Sequence, residues 1–234
     1  MGKSGFLLQV PDRQQQKVLI MKHWKKAFTL VELILVMTII VIMTLLVAPA
    51  FTSILKGNDI TNATEILTTQ LNLARMQAIS KNRQVQVRIY SYADPNIPGE
   101  NPSSSATWNW HALQIFELDP GGVSVPNNKV QKLPNTAVID YNTNLSTILP
   151  TAANGRALIA GSAAGSIPAV GTNYNYASFI FNPDGSTDLS PGSQWFLTVR
   201  NINSVSTGST PPANFATVQV DPLNGTTLIF RPGR

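Results

Sequence analysis

Cysteine is absent from this chain of 234 residues, which excludes disulfide bonds, thiolate metal sites and cysteine nucleophiles. Histidine is almost as scarce, with only His23 and His111. A Ser-His-Asp triad would depend on His111, which falls in a strand pattern and for which a structural or solvent-facing role is favoured. No glycine-rich phosphate-binding loop is present, and we interpret the Ser-x-x-Lys spacing of Ser53 and Lys56 as accidental. The sequence therefore predicts a protein without catalytic residues, metal or cofactor.

Charged residues are also few, at 12% of the chain, and they are unevenly placed. Six basic residues face one acidic residue up to Ala27, whereas the remainder carries 11 of each sign. A basic N-terminal segment before an apolar run predicts that the N-terminus stays in the cytoplasm. The net positive charge of the chain is therefore poor evidence for a nucleic-acid surface. The hydrophobic content of 43% argues against a disordered chain.

An apolar segment follows, with no charged residue between Leu33 and Leu55. Counted from Phe28, it is long enough to cross a bilayer as a helix. Three interpretations compete: a plain signal anchor, a secretory signal cleaved after Ala48-Pro49-Ala50 and before Phe51, or cleavage between Ala27 and Phe28 with the helix retained.

Glu32 lies inside this apolar segment, where a carboxylate costs roughly 2.5–3.5 kcal/mol on insertion scales. Cleavage after Ala27 would create an α-amine at Phe28, one helical turn from Glu32. The ion pair could form within one chain or between neighbouring chains of a filament. The alternative is a glutamate at the membrane edge whose side chain reaches the headgroups.

The residues Lys25-Lys26-Ala27-Phe28-Thr29-Leu30-Val31-Glu32 resemble the prepilin signal of type IV pilins and type II secretion pseudopilins. The resemblance implies cleavage between Ala27 and Phe28 by a prepilin peptidase, N-methylation of Phe28 and assembly through Glu32. Pro49 lies where helices of the family commonly carry a proline that loosens or kinks them. Ala27 stands where the family normally has glycine, and this departure predicts slower processing.

The resemblance also implies a location and partners. The subunit is expected to cross the inner membrane once, with a cytoplasmic N-terminus and an extracytoplasmic head, and then to enter a pilus or pseudopilus. The implied partners are the prepilin peptidase, other pilin or pseudopilin subunits, the inner-membrane assembly platform and membrane lipid.

A second helical pattern covers residues 59–81, with apolar residues at steps of three and four. The residues on its predicted core face are Ile60, Ala63, Leu67, Leu71, Ala74 and Ala78. Period-two alternation then predicts a strand at Val85, Val87 and Ile89. Later strands are predicted at residues 110–118, 137–141, 178–181, 195–200, 215–220 and 226–230, with a turn at 182–185 and a hairpin turn at 221–225.

These patterns predict an α+β fold, in which a long N-terminal helix packs on an antiparallel sheet or small sandwich. The predicted parts are a cleaved basic leader (1–27), a transmembrane or filament-core helix (28–55), an amphipathic continuation (56–81) and a β-rich head (82–234).

The head carries a second resemblance. Its segments "LARMQAISKNRQVQVRI", "FNPDGSTDL" and "VQVDPLNGTTLIFRP" resemble minor pseudopilins of the H type and FimT/FimU-like minor pilins. More narrowly, the pattern that includes "GSTDLSPGSQWFLTV" resembles the Verru_Chthon cassette protein D family of pilin-like proteins.

Other candidate sites are weaker. Residues 94–107 and 154–175 are predicted loops, for which a solvated insertion is favoured over a recognition role. Asp184 and Asp188 together supply too few ligands for Ca²⁺, so a turn role is favoured. Trp108 and Trp110 would share a strand face, and core or subunit packing is favoured over a binding patch.

Arg231 and Arg234 are weak candidates for nucleic-acid binding, because two arginines supply little phosphate affinity. The sequence therefore predicts a minor pilin or pseudopilin, a structural subunit of a filament. The alternative is a membrane-anchored extracytoplasmic module that binds DNA or a secreted substrate.

Overall fold

The computed structural model describes residues 29–150, 156–161, 166–168 and 170–232. For residues 46–57, inside the first helix, it describes the backbone and not the side chains. The chain divides into two compact units, residues up to Val47 and residues from Ala48 onward. The sheet and its core belong to the second unit.

Helix α1 (Leu30–Lys81) is a single element that continues through Lys56-Gly57-Asn58, where the apolar run ends. In the second unit it presents one apolar face to the sheet, as the periodicity predicts. The six positions assigned to that face are at most 1% exposed: Ile60, Ala63, Leu67, Leu71, Ala74 and Ala78. Burial of this face holds α1 on the sheet.

The C-terminus of α1 is closed by a Schellman motif. Asn82 adopts the left-handed region, with φ of 51°, and its N–H donates to the carbonyl of Ile79 at 3.3 Å. The N–H of Arg83 donates to the carbonyl of Ala78 at 3.2 Å. These two bonds satisfy carbonyls that the helix end leaves free and turn the chain into the first strand.

Ten strands follow α1 in the described residues and form one antiparallel sheet. They are β1 (Val85–Tyr92), β2 (Asn109–Leu118), β3 (Ser124–Pro126), β4 (Gln131–Lys132), β5 (Ala137–Ile139), β6 (Ile159–Ala160), β7 (Asn175–Phe181), β8 (Trp195–Asn201), β9 (Phe215–Val220) and β10 (Thr227–Phe230). Their order is β10-β9-β8-β5-β2-β1-β7-β6, and β3 and β4 also pair with β2. The predicted α+β class with an antiparallel sheet is confirmed.

Both faces of the sheet are covered near its centre. Val85, Val87 and Ile89 of β1 are fully buried and belong to the core that α1 completes. Tyr90, which alternation places on the opposite face, belongs to a second cluster with Tyr176 and other aromatic residues. The first half of β1 alternates between buried and half-buried residues, whereas all four residues of its second half, Ile89 to Tyr92, are buried.

Part of the predicted loop 154–175 is ordered against this second face, so the loop prediction is wrong there. It contains β6, which pairs with β7, and it buries Ile167 and Tyr174. The ring of Tyr174 packs edge-on against Tyr90, with centroids 5.5 Å apart. Scattered apolar residues, rather than a regular alternation, anchor this segment, and for this reason periodicity did not find it.

The two predicted turns are both present and contact each other. The turn at 182–185 is closed by a bond from the Gly185 N–H to the Asn182 carbonyl, at 2.9 Å. The N–H of Thr187 then donates to the carbonyl of Pro222 in the hairpin turn 221–225, also at 2.9 Å. This contact joins the connection after β7 to the connection before β10.

Candidate functional site at the helix start and in the head

Thr29 is the N-cap of α1. Its Oγ1 accepts the backbone N–H of Glu32 at 3.2 Å, and its carbonyl accepts the N–H of Leu33 at 3.1 Å. Thr29 and Glu32 therefore occupy the N-cap and N3 positions of the Thr-x-x-Glu capping pattern, which the sequence already contained. A carboxylate at N3 also interacts favourably with the positive end of the helix dipole. Glu32 thus contributes to starting the helix within a single chain.

Apolar side chains cover every side of the described first unit. The large hydrophobic residues of segment 30–45 are 45% to 75% exposed, and Glu32 is the only charged residue of this segment. Thr38 and Thr44 donate their hydroxyls back to the carbonyls of Ile34 and Ile40, at 2.8 and 2.7 Å. The segment therefore offers an almost entirely apolar surface, whose exposure to water is unfavourable.

Several sequence predictions for this segment concern residues or side chains that the structure does not describe. Ala27 and Phe28, the expected cleavage site, lie outside the described residues, and so does the side chain of Pro49. Cleavage, N-methylation and a kink at Pro49 therefore stay predictions. Within the described residues, no helix is both long enough and apolar enough to cross a membrane.

In the head, the side chain of Glu100 binds both ends of the segment 94–107. Its side chain is 1% exposed. It accepts the backbone and side-chain N–H groups of Asn109 at 3.1 and 2.7 Å, and the backbone N–H of Asp94 at 2.6 Å. One buried carboxylate therefore closes both ends of the segment onto β2. The predicted solvated loop is tied down at its base by a fully buried acid.

Asp94 extends this polar cluster towards β4. Its carboxylate accepts Lys132 Nζ at 2.9 Å and the backbone N–H of Asn96 at 2.9 Å. Burial alone raises the pKa of Asp94, but the hydrogen bonds from Asn96 and Lys132 hold that pKa below its usual value. The Lys132 ammonium also lies 5.3 Å from the ring centroid of Tyr92. The ammonium at this position disfavours a metal cation beside Asp94.

His111 lies next to these groups and is 3% exposed. Its ring meets Tyr92 edge-on, with centroids 4.3 Å apart, and its Nδ1 is 3.7 Å from a carboxylate oxygen of Glu100. Among the described residues neither ring nitrogen has a hydrogen-bond partner. Burial lowers the pKa of His111 to about 4, although the charge of Asp94 opposes the shift. Of the two roles that the sequence favoured for His111, structural or solvent-facing, the buried and packed ring fits the structural one.

The calcium candidates Asp184 and Asp188 are used within the fold. Asp184 accepts the backbone N–H and the hydroxyl of Ser186, at 2.9 and 2.6 Å, and Asp188 accepts the N–H of Ile180 at 2.8 Å. The hydrogen bonds from Ser186 lower the pKa of Asp184. No group of three acidic, histidine or cysteine side chains in the described part of the chain could hold a metal. The geometry gives Asp184 the favoured turn role, whereas the carboxylate of Asp188 binds the main chain of β7.

The two neighbouring tryptophans do not share one strand face. Trp110 belongs to β2 and to the main core, whereas Trp108 precedes β2. The indole Nε1–H of Trp108 donates to the carbonyl of Asn101 at 2.7 Å, which closes the segment 94–107. The packing interpretation is therefore right for Trp110, and the shared face is wrong because β2 begins at Asn109.

The family model described as type II transport protein GspH matches residues 63–209, which is more than half of the chain. The chain belongs to the GspH family. It is therefore a minor pilin or pseudopilin, a structural subunit of a type II secretion or type IV pilus filament. The predicted membership in the H-type group is confirmed, whereas the narrower resemblance to Verru_Chthon cassette protein D is not.

Two solved structures resemble this GspH-family chain at low sequence identity. The type IV minor pilin FimU of Pseudomonas aeruginosa is 14% identical and matches with a TM-score of 0.40, covering 75% of this chain and 93% of its own. The minor pseudopilin EpsH of the Vibrio cholerae type 2 secretion system is 13% identical, with a TM-score of 0.39, covering 74% and 99%. No curated protein sequence matches the chain.

Membership in the GspH family indicates in general terms where the protein is located and what kind of protein it assembles with. Members are membrane-anchored filament components with an extracytoplasmic head, and their partners are other pilin or pseudopilin subunits. The matched residues run from α1 to the connection after β8. Strands β9 and β10, together with the exposed Arg231, lie beyond the match, and Arg234 lies outside the described residues.

Sequence reasoning missed one positioning residue of the GspH head, Arg88. Alternation places it on the face of β1 opposite Val85, Val87 and Ile89, where its guanidinium lies 4.0 Å from the ring centroid of Phe116 and 4.7 Å from that of Tyr176. Its Nε donates to Gln86 at 2.7 Å. The contacting rings belong to β2 and β7. The position of Arg88 between them therefore follows from the pairing of these strands with β1, which the sequence does not show.

Proposed function

We propose that this GspH-family subunit enters its filament through the apolar part of α1, with Glu32 neutralising an N-terminal amine at Phe28. The prepilin peptidase cuts between Ala27 and Phe28, and Phe28 is then N-methylated. Residues 28–55 hold the subunit in the inner membrane by one span, with the N-terminus in the cytoplasm and the head outside. The inner-membrane platform transfers the subunit from lipid to the growing filament.

The observation that carries this proposal is the exposure of apolar side chains on all sides of residues 30–45. A surface of this kind is stable in lipid or against other apolar helices, and filament entry exchanges the first partner for the second. The single carboxylate at the start of this segment, Glu32, favours the filament over the lipid, since a neighbouring subunit can supply a positive charge. Leaving a desolvated carboxylate unpaired is costly, so a neighbouring amine favours the assembled state.

The capping geometry refines the role of Glu32. In the isolated subunit the helix N-terminus already compensates part of the carboxylate charge, typically by about 0.3–1 kcal/mol. A full positive charge on an α-amine offers more, particularly where water is excluded. The helix N-terminus therefore compensates part of the Glu32 charge until the amine, a stronger partner, is available.

Two variants separate filament pairing from helix capping. Glu32→Gln removes the charge but keeps a side chain suited to the N3 position, whereas Glu32→Ala removes both. The proposal predicts that both variants reduce the fraction of full-length subunit in sheared filaments by about tenfold or more, equivalent to about 1.4 kcal/mol. A pure capping role predicts that only Glu32→Ala is impaired. Normal incorporation of Glu32→Gln would remove the assembly role.

The mature N-terminus tests the processing step. Mass spectrometry of the purified native protein should find a methylated Phe28 at its start. A start at Phe51 would instead indicate a secreted protein, and a start at Met1 a plain anchor. The variant Ala27→Gly is the matched control, since it restores the residue that the prepilin signal normally has and should be cleaved faster.

Nucleic-acid binding is a second candidate function and depends on Arg231 and Arg234. Arg231 is exposed directly after β10, at the end of the head. Two phosphate contacts would change the slope of log affinity against log salt by about 2. An Arg231→Ala/Arg234→Ala double variant that binds DNA as tightly as the parent, with the same salt slope, would contradict this candidate.

A further inference from the structure

Strand β10 ends the sheet and leaves one edge open. It pairs with β9 in the register Thr227↔Val220 to Phe230↔Thr217, and in the described residues no strand pairs with its other edge. Leu228, Ile229 and Phe230 are 59%, 47% and 51% exposed. Sheets usually protect such an edge with charged side chains, bulges or a covering segment, because an apolar edge is a template for another chain.

The hairpin turn determines which main-chain groups of β10 face outward. The N–H of Asp221 donates to the carbonyl of Thr226 at 2.9 Å, so these two residues form a hydrogen-bonded pair. Hydrogen-bonded and non-hydrogen-bonded pairs alternate along an antiparallel ladder. The main-chain groups of Leu228 and Phe230 therefore point to β9, and those of Thr227 and Ile229 point to the open edge.

The two faces of β10 differ. Ile229 lies opposite Val218, a residue of the main core, so it faces the α1 side of the sheet. On this side the Thr227 hydroxyl contacts the side-chain oxygen of Asn72 in α1, at 3.1 Å. Leu228 and Phe230 lie on the other face, which leaves two large apolar side chains beside the open edge.

The size of this edge restricts the kind of partner. A stable interface between soluble proteins buries about 1,200–2,000 Å² in total, and a strand of four residues falls well below that. An edge this short holds a partner only when a second contact keeps the two chains together, since tethering raises the effective concentration. Neighbouring subunits whose apolar helices pack in one filament meet this condition, whereas a free soluble protein does not.

We infer that β10 is the docking edge for the head of a neighbouring pilin-like subunit, which adds an extended segment antiparallel to Thr227 and Ile229. The inference rests on the proposed function, because packing of residues 30–45 supplies the proximity. The docking segment carries apolar side chains next to Leu228 and Phe230. Arg231, at the end of the strand, favours a carboxylate on that segment.

A photoreactive phenylalanine analogue at position 228 of the full-length chain tests the contact in cells. Irradiation should give an adduct whose partner peptide belongs to the head of this chain or of another subunit with a pilin-type helix. The same analogue at Val205, which is 76% exposed on the connection after β8, is the control and should give at least tenfold less of that adduct. Equal yields at both positions, no adduct, or adducts with lipid or unrelated proteins would overturn the inference.

A third position separates this inference from the proposed function. The analogue at Met37 reports packing of the apolar segment itself. Adducts at Met37 without adducts at Leu228 would reject the docking edge and leave helix-driven assembly intact. Loss of both would reject helix-driven assembly.

The hydrogen bonding can be tested by removing one donor. Ile229→Pro deletes an outward N–H and leaves the bonds to β9 in place, so the adduct at position 228 should fall at least tenfold, whereas Ile229→Val should keep it. Near-ultraviolet circular dichroism checks the fold of each variant. If Ile229→Pro loses the native spectrum, Ile229→Lys serves instead, since a charge at the edge also blocks strand addition. An unchanged adduct in a folded variant would contradict the inference.

Discussion

Arg200 Nε donates to the carboxylate of Asp140 at 2.8 Å, and both side chains are buried, at 6% and 0% exposure. The Arg200 Nη1 also donates to the carbonyls of Asn201 and Ile202, at 3.0 and 3.3 Å. The other oxygen of Asp140 accepts the N–H of Asn142 at 2.8 Å. This pair therefore links β8 to the residues after β5 and fixes the start of the connection to β9.

Removing one member of this pair should destabilise the head strongly. Asp140→Ala leaves the Arg200 guanidinium buried without its counter-charge, which typically costs about 3–5 kcal/mol. We expect the urea midpoint of the full chain in detergent to fall accordingly, with an unchanged m-value.

The double variant Asp140→Leu/Arg200→Met is the control for that prediction. Replacing both charges with apolar groups of similar size is often neutral or stabilising. The double variant should therefore be more stable than Asp140→Ala. A double variant that is equally unstable would show that the carbonyl contacts of Arg200, rather than the ion pair, hold the connection.

The two turns after β7 and before β10 meet at a pair of glycines. A Cβ on Gly225 would lie 2.3 Å from the carbonyl oxygen of Gly185, and Gly225 also has φ of +66°. Gly225→Ala should therefore cost about 2–4 kcal/mol, from backbone strain together with overpacking. Gly208→Ala is matched, since its φ is +58° with nothing within 4 Å, and it should cost only about 1–2 kcal/mol. Equal losses in thermal unfolding would remove the steric part of the argument.

The elements that the sequence predicted are those with a regular period. The core face of α1 follows steps of three and four, and β9 alternates cleanly, so its bounds match the prediction of residues 215–220. The family motif at residues 25–32 also predicted the class of protein. The Thr-x-x-Glu capping pattern at Thr29 and Glu32 is local in the sequence, and the structure shows the bond from the Glu32 N–H to Thr29 Oγ1.

What the sequence did not predict depends on partners far apart in the chain. Strands β3, β4 and β6 have two or three residues each, too few to show a period. Arg88 finds its aromatic partners only through the registers of β1 with β2 and β7. Glu100 lies in a segment rich in proline, serine and asparagine, so composition predicted exposure while tertiary hydrogen bonds bury it.

Position 88 should require the planar guanidinium of arginine. It lies between Phe116 and Tyr176, and each cation–π contact is worth about 0.5–2 kcal/mol depending on desolvation. Arg88→Lys keeps the charge but loses the planar surface, so we expect a loss of about 1–2 kcal/mol in urea unfolding. Arg88→Met, which keeps apolar contact without charge, is the comparison. If Lys matched the parent, stacking would not be the source of the stability.

His111 should make the stability of the head depend on pH between about 4 and 6.5. Burial lowers its pKa to about 4 from an ordinary value of 6.5, so on acidification the unfolded chain binds this proton first. The contribution of His111 to the free energy of unfolding is therefore fully present above about pH 6.5 and is lost as the pH falls towards 4. The slope is at most about 1.4 kcal/mol per pH unit, and the loss is about 3 kcal/mol in all. Urea unfolding of the full chain at pH 7 and pH 5 measures the effect.

The variant His111→Phe isolates the contribution of the imidazole. It keeps an aromatic ring against Tyr92 but cannot titrate, so its stability should change less between pH 7 and pH 5 than that of the parent. Asp94 does not titrate between pH 7 and pH 5, because its pKa is held below the ordinary value of 3.8. Its contribution to the free energy of unfolding therefore declines only at lower pH. The same pH dependence in parent and variant would show that another group, rather than His111, senses the acid.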